Sequence, residues 1–118
     1  MDKLKQFFNN IPFFLQPGFV KYTSDKITTD NNNRLTIGIA SESVIQGFSL
    51  NYLYVDEVGY IKESTWKKFW NNVYPSLSAD PNSHVNITST PNGRNQFYDL
   101  WTNALAGKNE FKTYRIRW

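Results

Sequence analysis

The stretch of residues 50–55, Leu-Asn-Tyr-Leu-Tyr-Val, most limits the folds open to this chain. It is apolar at nearly every position, and such a run is typical of a strand that is covered on both faces inside an α/β sheet. Two acids, Asp56 and Glu57, follow it at once. Strand and helix patterns alternate after it, which favours parallel pairing. We therefore expect an α/β fold with a mainly parallel sheet.

Apolar side chains at helical spacing predict three helices. The first covers residues 2–11. The second carries an aromatic stripe, with Ser64 as its N-cap and Pro75 directly after its end. The third begins after Asn95 as a cap and stops at Gly107. We expect the tryptophans of the last two helices to lie in the core.

The remaining patterns predict strands. Ile27 lies in one short strand and residues 35–39 form another, and the polar cluster of residues 30–33 between them is typical of a turn, so the pair predicts a β-hairpin. Residues 85–89 predict a further strand. The closing residues, 111–118, also have a strand-like pattern.

Composition restricts the ligands and surroundings of the chain. It has 118 residues, no cysteine and one histidine, His84, so any metal ion must be held by oxygen. No stretch approaches the ~20 apolar residues that span a bilayer, and we expect no membrane partner and no export signal. The net charge is +3. Four bases cluster near the end, where a solvated surface is a commoner explanation than a DNA contact: Lys108, Lys112, Arg115 and Arg117.

Two polar clusters fall where parallel sheets place their ligands, beyond the carboxyl ends of strands. Asp56 can hold Mg²⁺, while Glu57 can orient or deprotonate a water molecule. The hydroxyls of Thr88, Ser89 and Thr90 can contact a terminal phosphate or its water. Each cluster alone has a simpler explanation, because acids and hydroxyls are common where strands end.

The combination of motifs is more specific than either cluster. Residues 53–57, Leu-Tyr-Val-Asp-Glu, precede residues 87–93, Ile-Thr-Ser-Thr-Pro-Asn-Gly, and then Asn95 and Phe-Tyr-Asp at residues 97–99. This order resembles the large terminase subunits of tailed bacteriophages over nearly the whole chain. Other stretches are also similar to that family: residues 14–18, 40–47, 106–108 and 116–118.

The resemblance implies a partial P-loop NTPase fold of the ASCE type, with three αβα layers, a β-hairpin before the sheet and the phosphate-loop strand missing. Residues 1–118 would form a single partial domain without the nuclease domain. Asp56 and Glu57 would be the Walker B pair, with Asp56 on the metal and Glu57 catalytic. Thr88, Ser89 and Thr90 would be the coupling motif, which links ATP hydrolysis to movement of the motor.

Two departures from the family pattern bear on activity. None of the six glycines precedes a Lys-Ser or Lys-Thr pair, so the phosphate-binding loop is not in these residues. Gln46 stands before Gly47 where relatives often carry Arg, and an amide cannot supply a positive charge. We expect Mg²⁺ and ATP to bind only in a completed site, and the chain alone to have little ATPase activity. An unpaired strand at residues 85–89 is expected to lower its solubility.

The resemblance also implies partners and a location. The partners are an upstream segment bearing the phosphate loop, other large subunits, the portal protein, the small terminase subunit and double-stranded DNA. The location is the host cell cytoplasm, with transient attachment to the procapsid portal. Two alternatives stay open: a non-enzymatic terminase-like module that binds motor subunits or DNA, and a generic α/β domain with an accidental resemblance.

Overall fold

The computed structural model describes residues 2–40 and 50–117. They belong to two units, Met1–Ile39 and Ala40–Trp118. None of the helices in the described ranges combines the length and apolar character needed to traverse a bilayer. Gln46 and most of the family-like stretch at residues 40–47 lie outside the described residues.

The first unit begins with the predicted helix, α1 (Asp2–Asn10). Phe8 is half-buried on this helix, and its ring meets the ring of Phe19 edge-on, with 5.2 Å between centroids. A 3₁₀ helix, Phe13–Leu15, follows Pro12. Phe13 and Phe14 of that helix are 89% and 82% exposed, so it adds no buried apolar residue to this unit.

Three antiparallel strands complete the first unit: β1 (Phe19–Tyr22), β2 (Lys26–Thr29) and β3 (Arg34–Thr36). The predicted hairpin is confirmed as the β2–β3 pair, in which Ile27 lies opposite Leu35. Its turn contains Asn32 in the left-handed region, with φ 63°, a conformation that Asn tolerates. Strand β1 was not predicted, because its sequence, Phe-Val-Lys-Tyr, has no alternation of apolar and polar residues. All four residues are exposed.

The second unit contains the parallel pair β4 (Tyr52–Val55) and β5 (His84–Ile87). The register places Leu53 opposite Val85 and Val55 opposite Ile87. Parallel pairing and the α/β class are confirmed. Leu53, Val55 and Val58 lie in the core. Four side chains of the helix that follows in the chain complete it: Trp66, Phe69, Val73 and Leu77.

Coverage of β4 on both faces was a wrong prediction for the described residues. Its burial alternates, with Leu53 and Val55 buried and Tyr52 and Tyr54 57% and 55% exposed. Tyrosine made the run read as continuously apolar, yet its phenol can lie flat on a sheet and keep its hydroxyl in water. Within residues 50–117 the sheet thus has one covered face, where the core lies.

Helix α2 (Glu63–Ser78) differs at both ends from the prediction. Ser64 lies inside its first turn, and Lys62 stands at the N-cap without a side-chain cap bond. Pro75 lies inside the helix, although it lacks the N–H that would bond to the preceding turn. Burial of Leu77 beyond Pro75 explains the continuation, because packing of the final turn compensates for the lost bond.

Helix α3 (Gln96–Leu105) has the predicted ends. The Asn95 side chain accepts from the N–H groups of Phe97 and Tyr98. Gly107 follows the helix with φ 67°, where a residue without Cβ is favoured. The predicted strand after it is wrong for residues 111–117, which have no regular secondary structure. A strand needs a partner for its backbone groups, and Phe111 contacts Trp70 of α2 instead.

Candidate active site at the ends of strands β4 and β5

Parallel register brings the two predicted polar clusters together. Because Ile87 pairs with Val55, the next residues, Thr88 and Asp56, leave the sheet side by side. The Thr88 hydroxyl donates to Asp56 Oδ1 at 2.6 Å, across 32 residues of chain. Backbone bonds extend the alignment, from Thr88 N–H to the Val55 carbonyl at 2.9 Å and from Val58 N–H to the Thr88 carbonyl at 3.2 Å.

Glu57 has an uncommon backbone conformation, with φ 54° and ψ 38°, which is left-handed. Such a conformation costs a non-glycine residue about 1–3 kcal/mol and persists where the surroundings hold it. The exposed carboxylate reaches toward Thr90, whose hydroxyl donates to Oε2 at 3.4 Å. Asp56 Oδ1 accepts from the Glu57 N–H at 3.0 Å. The two acids are therefore tied to each other and each to one threonine.

Ser89 differs from its two neighbours in direction. Its hydroxyl accepts from the Gly59 N–H at 3.0 Å and donates to the Thr90 carbonyl at 2.9 Å. Thr88 and Thr90 contact the carboxylates, whereas the contacts of Ser89 are to backbone. Ser89 thus links the hydroxyl run to the turn after Glu57.

Two tyrosines that no sequence motif marks as site residues contact the threonines. The Tyr54 hydroxyl lies 3.0 Å from Thr88 Oγ1, and the Tyr60 hydroxyl lies 3.2 Å from Thr90 Oγ1. The single proton of Thr88 goes to Asp56, so Tyr54 is the donor in its pair. Strand alternation was the available signal for Tyr54, because residues 54 and 56 leave β4 on the same side.

Asp56 and its neighbouring hydroxyl form a donor set that could hold a magnesium ion only together with ligands from outside the chain. In the ranges that the structure describes, His, Asp and Glu side chains do not gather in groups of three or more around a metal position. Mg²⁺ in phosphate-transferring sites needs only one or two carboxylates, since waters and substrate phosphates complete its octahedron. Asp56, exposed and beside a threonine hydroxyl, fits that requirement.

The basic cluster after α3 is exposed. Lys108, Lys112, Arg115 and Arg117 all lie on the surface. Tyr114 and Ile116 between them are 80% and 84% exposed. The exposure of the four basic residues agrees with the solvated-surface interpretation.

Comparison with known families identifies the class of this protein. The family model described as terminase large subunit, T4likevirus-type, N-terminal, matches residues 2–117. Because the match covers almost the whole chain, the chain belongs to this family of large terminase subunits. Membership supports a role in the viral DNA-packaging motor, in association with other terminase components and DNA.

Proposed function

We propose that this chain supplies the metal-binding and water-activating part of the ATPase site of the packaging motor. The observation that carries the proposal is the meeting of Asp56 and Glu57 with Thr88 and Thr90 where two parallel strands end. Sites of nucleotide-binding α/β sheets lie at such ends. In this assignment Asp56 and Glu57 are the Walker B pair.

Each side chain has a separate task in the proposed site. Asp56 would hold Mg²⁺, and the ion would supply neutralisation of charge on the nucleotide phosphates. Glu57 orients the attacking water and accepts its proton, as a carboxylate at hydrogen-bond distance can do. The hydroxyls of Thr88 and Thr90 donate to these carboxylates. Loss of the terminal phosphate, which alters the surroundings of the carboxylates, would therefore alter the hydrogen bonds of residues 88–90. Ser89 passes that change to the Gly59 backbone.

A phosphate-binding loop completes the site. The 118 residues contain no Gly-Lys-Thr or Gly-Lys-Ser sequence. Among the described residues, β5 pairs only with β4, so the N–H groups of Val85 and Ile87 face an open strand edge. We assign this edge to the strand that carries the phosphate loop, which makes residues 1–118 one part of a P-loop NTPase domain. An exposed strand edge is a template for pairing with another chain.

The remaining partners follow from the motor itself. We propose contacts with other large subunits, the small subunit, the portal protein and double-stranded DNA, with action at the procapsid portal. Lys108 and Lys112 are the candidates for a DNA contact. Binding that weakens steeply with salt, and less steeply when both lysines are changed to Gln, supports this contact.

ATPase measurement on the chain, alone and combined with a phosphate-loop segment of a T4-type terminase, tests the proposal. We expect little turnover by the chain alone and clear turnover by the combination. Glu57→Gln should reduce the combined rate by about 10²–10⁴, the usual contribution of a general base. Glu110→Gln, which neutralises another exposed acid, serves as the control and should leave the rate unchanged.

Three results would contradict this assignment. Strong turnover by the chain alone that is lost in Glu57→Gln shows that the phosphate loop is not required. Turnover by the combination that survives Glu57→Gln shows that Glu57 is not the catalytic carboxylate. Binding to terminase components without any turnover indicates the non-enzymatic module.

A further inference from the structure

Hydrogen bonds from one distant stretch converge on the short turn that follows Glu57. This turn is a 3₁₀ helix, Val58–Tyr60, whose first two residues are buried. The Gly59 carbonyl accepts from Asn92 Nδ2 at 3.0 Å and from Asn95 Nδ2 at 2.9 Å. Gln96 Nε2 donates to the Val58 carbonyl at 2.6 Å and also to the Ile61 carbonyl. We call Asn92, Asn95 and Gln96 the amide clamp.

Asn95 uses both ends of its amide. Its Oδ1 caps α3 by accepting from the N–H groups of Phe97 and Tyr98, at 3.1 and 3.2 Å. Its Nδ2 donates to the carbonyls of Gly59 and Asn92, the latter at 2.7 Å. The start of α3 is thereby joined to the turn by a single side chain. Capping alone needs only the oxygen, so the nitrogen contacts are a separate property.

Gln96 is one of two buried polar side chains among the described residues, with 9% exposure. Its amide N–H groups serve two carbonyls of the turn region. A buried amide without such partners costs about 1–3 kcal/mol. Gln96 therefore serves to hold the backbone of the turn. An apolar side chain of similar size would fill the same space without a buried amide that needs hydrogen-bond partners.

The turn determines the direction of Glu57. The Glu57 carbonyl accepts from the Tyr60 N–H at 2.9 Å, so the left-handed residue is part of the same hydrogen-bonded turn. On the other side, Ser89 accepts from the Gly59 N–H at 3.0 Å. The turn is thus held between the hydroxyl run and α3. Left-handed strain of this kind persists only under such constraint.

We propose that the amide clamp positions the Glu57 carboxylate, with Asn95 and Gln96 acting as positioning residues that do not touch the reacting atoms. This inference rests on the proposed catalytic role of Glu57. The clamp holds Val58 and Gly59, and these hold Glu57 in the left-handed conformation that directs its side chain toward Thr90. A displacement of about 1 Å at a catalytic group can cost 10²-fold in rate, so the clamp matters for turnover.

Asn95→Asp separates positioning from capping. Asp is as good an N-cap as Asn, but an ionised carboxylate has no N–H to donate. The matched control is Asn109→Asp. Asn109 also uses both amide ends, accepting from the Phe111 N–H and donating to the Leu100 carbonyl at 3.0 Å, away from Glu57. Asn95→Ser keeps the cap without adding charge, and circular dichroism checks that α3 remains.

Hydrogen–deuterium exchange of the 118-residue chain is the first readout. In Asn95→Asp and Asn95→Ser the amides of residues 58–61 should exchange about 3- to 10-fold faster, the effect of one lost hydrogen bond. Asn109→Asp should leave that segment unchanged. The second readout is the ATPase of the chain combined with the phosphate-loop segment. There kcat should fall about 10-fold in both Asn95 variants, with KM for ATP unchanged.

The outcomes separate the clamp from the proposed function. Unchanged exchange at residues 58–61 overturns the clamp, whatever the activity. If the Asn95 variants exchange faster but keep the kcat of the Asn109→Asp control, the positioning role is overturned. A fall in kcat that occurs in Asn95→Asp and not in Asn95→Ser also overturns it, because the added charge would then be the cause. Turnover that is insensitive to Glu57→Gln overturns the proposed function and, with it, positioning for catalysis. Faster exchange with lower kcat in both Asn95 variants, and full loss in Glu57→Gln, supports both.

Discussion

The two units of the molecule differ in how far along the chain their stabilising contacts reach. In the Met1–Ile39 unit, side-chain hydrogen bonds such as Thr23 to Asp25, 2.9 Å, join near neighbours. In the Ala40–Trp118 unit, Gln96 bonds to the Val58 carbonyl across 38 residues. Among the described residues, the first unit buries one large apolar side chain, Ile27, whereas the second buries a cluster of seven residues. The candidate site lies in the unit whose contacts are long-range.

This difference has a physical consequence for the site. The left-handed conformation of Glu57 and the alignment of the Thr88 and Thr90 hydroxyls require a rigid surrounding backbone. A close-packed core provides that rigidity. The first unit leaves Phe13, Phe14 and Val20 largely exposed. We therefore expect substitutions to have large effects in the second unit and small effects at equivalent residue types in the first.

The largest expected contrast is between two phenylalanines. Phe69 is 3% exposed in the core of the second unit, and Phe69→Ala should lower the free energy of unfolding by about 3–5 kcal/mol. Phe14 is 82% exposed, and Phe14→Ala should change the free energy by less than about 0.5 kcal/mol. Urea denaturation at low protein concentration measures both. Equal losses would show that the comparison between units is wrong.

Two glycines provide the next contrast. A Cβ on Gly59 would lie 2.8 Å from Ser89 Oγ and 3.3 Å from Asn95 Nδ2, both held by hydrogen bonds. Gly59→Ala should therefore cost about 1–3 kcal/mol, as overpacking does. A Cβ on Gly18 would meet the carboxylate end of exposed Asp30 at 2.5 Å, and that side chain can rotate away.

The free energies of unfolding of the two glycine variants give the test. Gly18→Ala should stay within about 0.5 kcal/mol of the parent chain. If Gly18→Ala lowers the free energy of unfolding as much as Gly59→Ala does, the Asp30 side chain is unable to rotate away from the added methyl group.

The smallest expected effect concerns an exposed ion pair on α2. Lys67 Nζ lies 2.6 Å from Glu63 Oε1. The hydrogen bond and charge of Lys67 lower the pKa of Glu63, and those of Glu63 raise the pKa of Lys67. A lowered acid pKa gives stability that is present above the ordinary value of 4.5 and lost as pH falls through the lowered value. The raised Lys67 pKa gives stability that is present below 10.5 and lost as pH rises through the raised value.

Thermal unfolding of Glu63→Gln across pH and salt measures this pair. The difference from the parent chain should be small between these limits, and smaller still in high salt, because both side chains are in water. A large difference that salt does not reduce would show that the pair is shielded in solution.

Several elements could be predicted because their causes are local. The turn of the β2–β3 hairpin follows from a run of Asp and Asn, and the start of α3 follows from Asn95, whose side chain bonds to backbone two and three residues away. The predictions failed where tertiary contacts outweigh local preference. Packing of Leu77 carries α2 past Pro75, and residues 111–117 pair with none of the described strands, while Phe111 contacts Trp70 of α2.

The sequence by itself determined the family, the α/β class, the parallel pairing of the two strands and which polar residues end each strand. These follow from the order of the motifs and the spacing of apolar residues, which are properties of the sequence. Only the tertiary structure decided their directions: Thr88 and Thr90 toward the carboxylates, Ser89 toward Gly59 and Glu57 into the left-handed region. The reason is distance along the chain. Each direction depends on partners far along the chain, such as Asp56 for Thr88 across 32 residues, and no local pattern specifies those pairings.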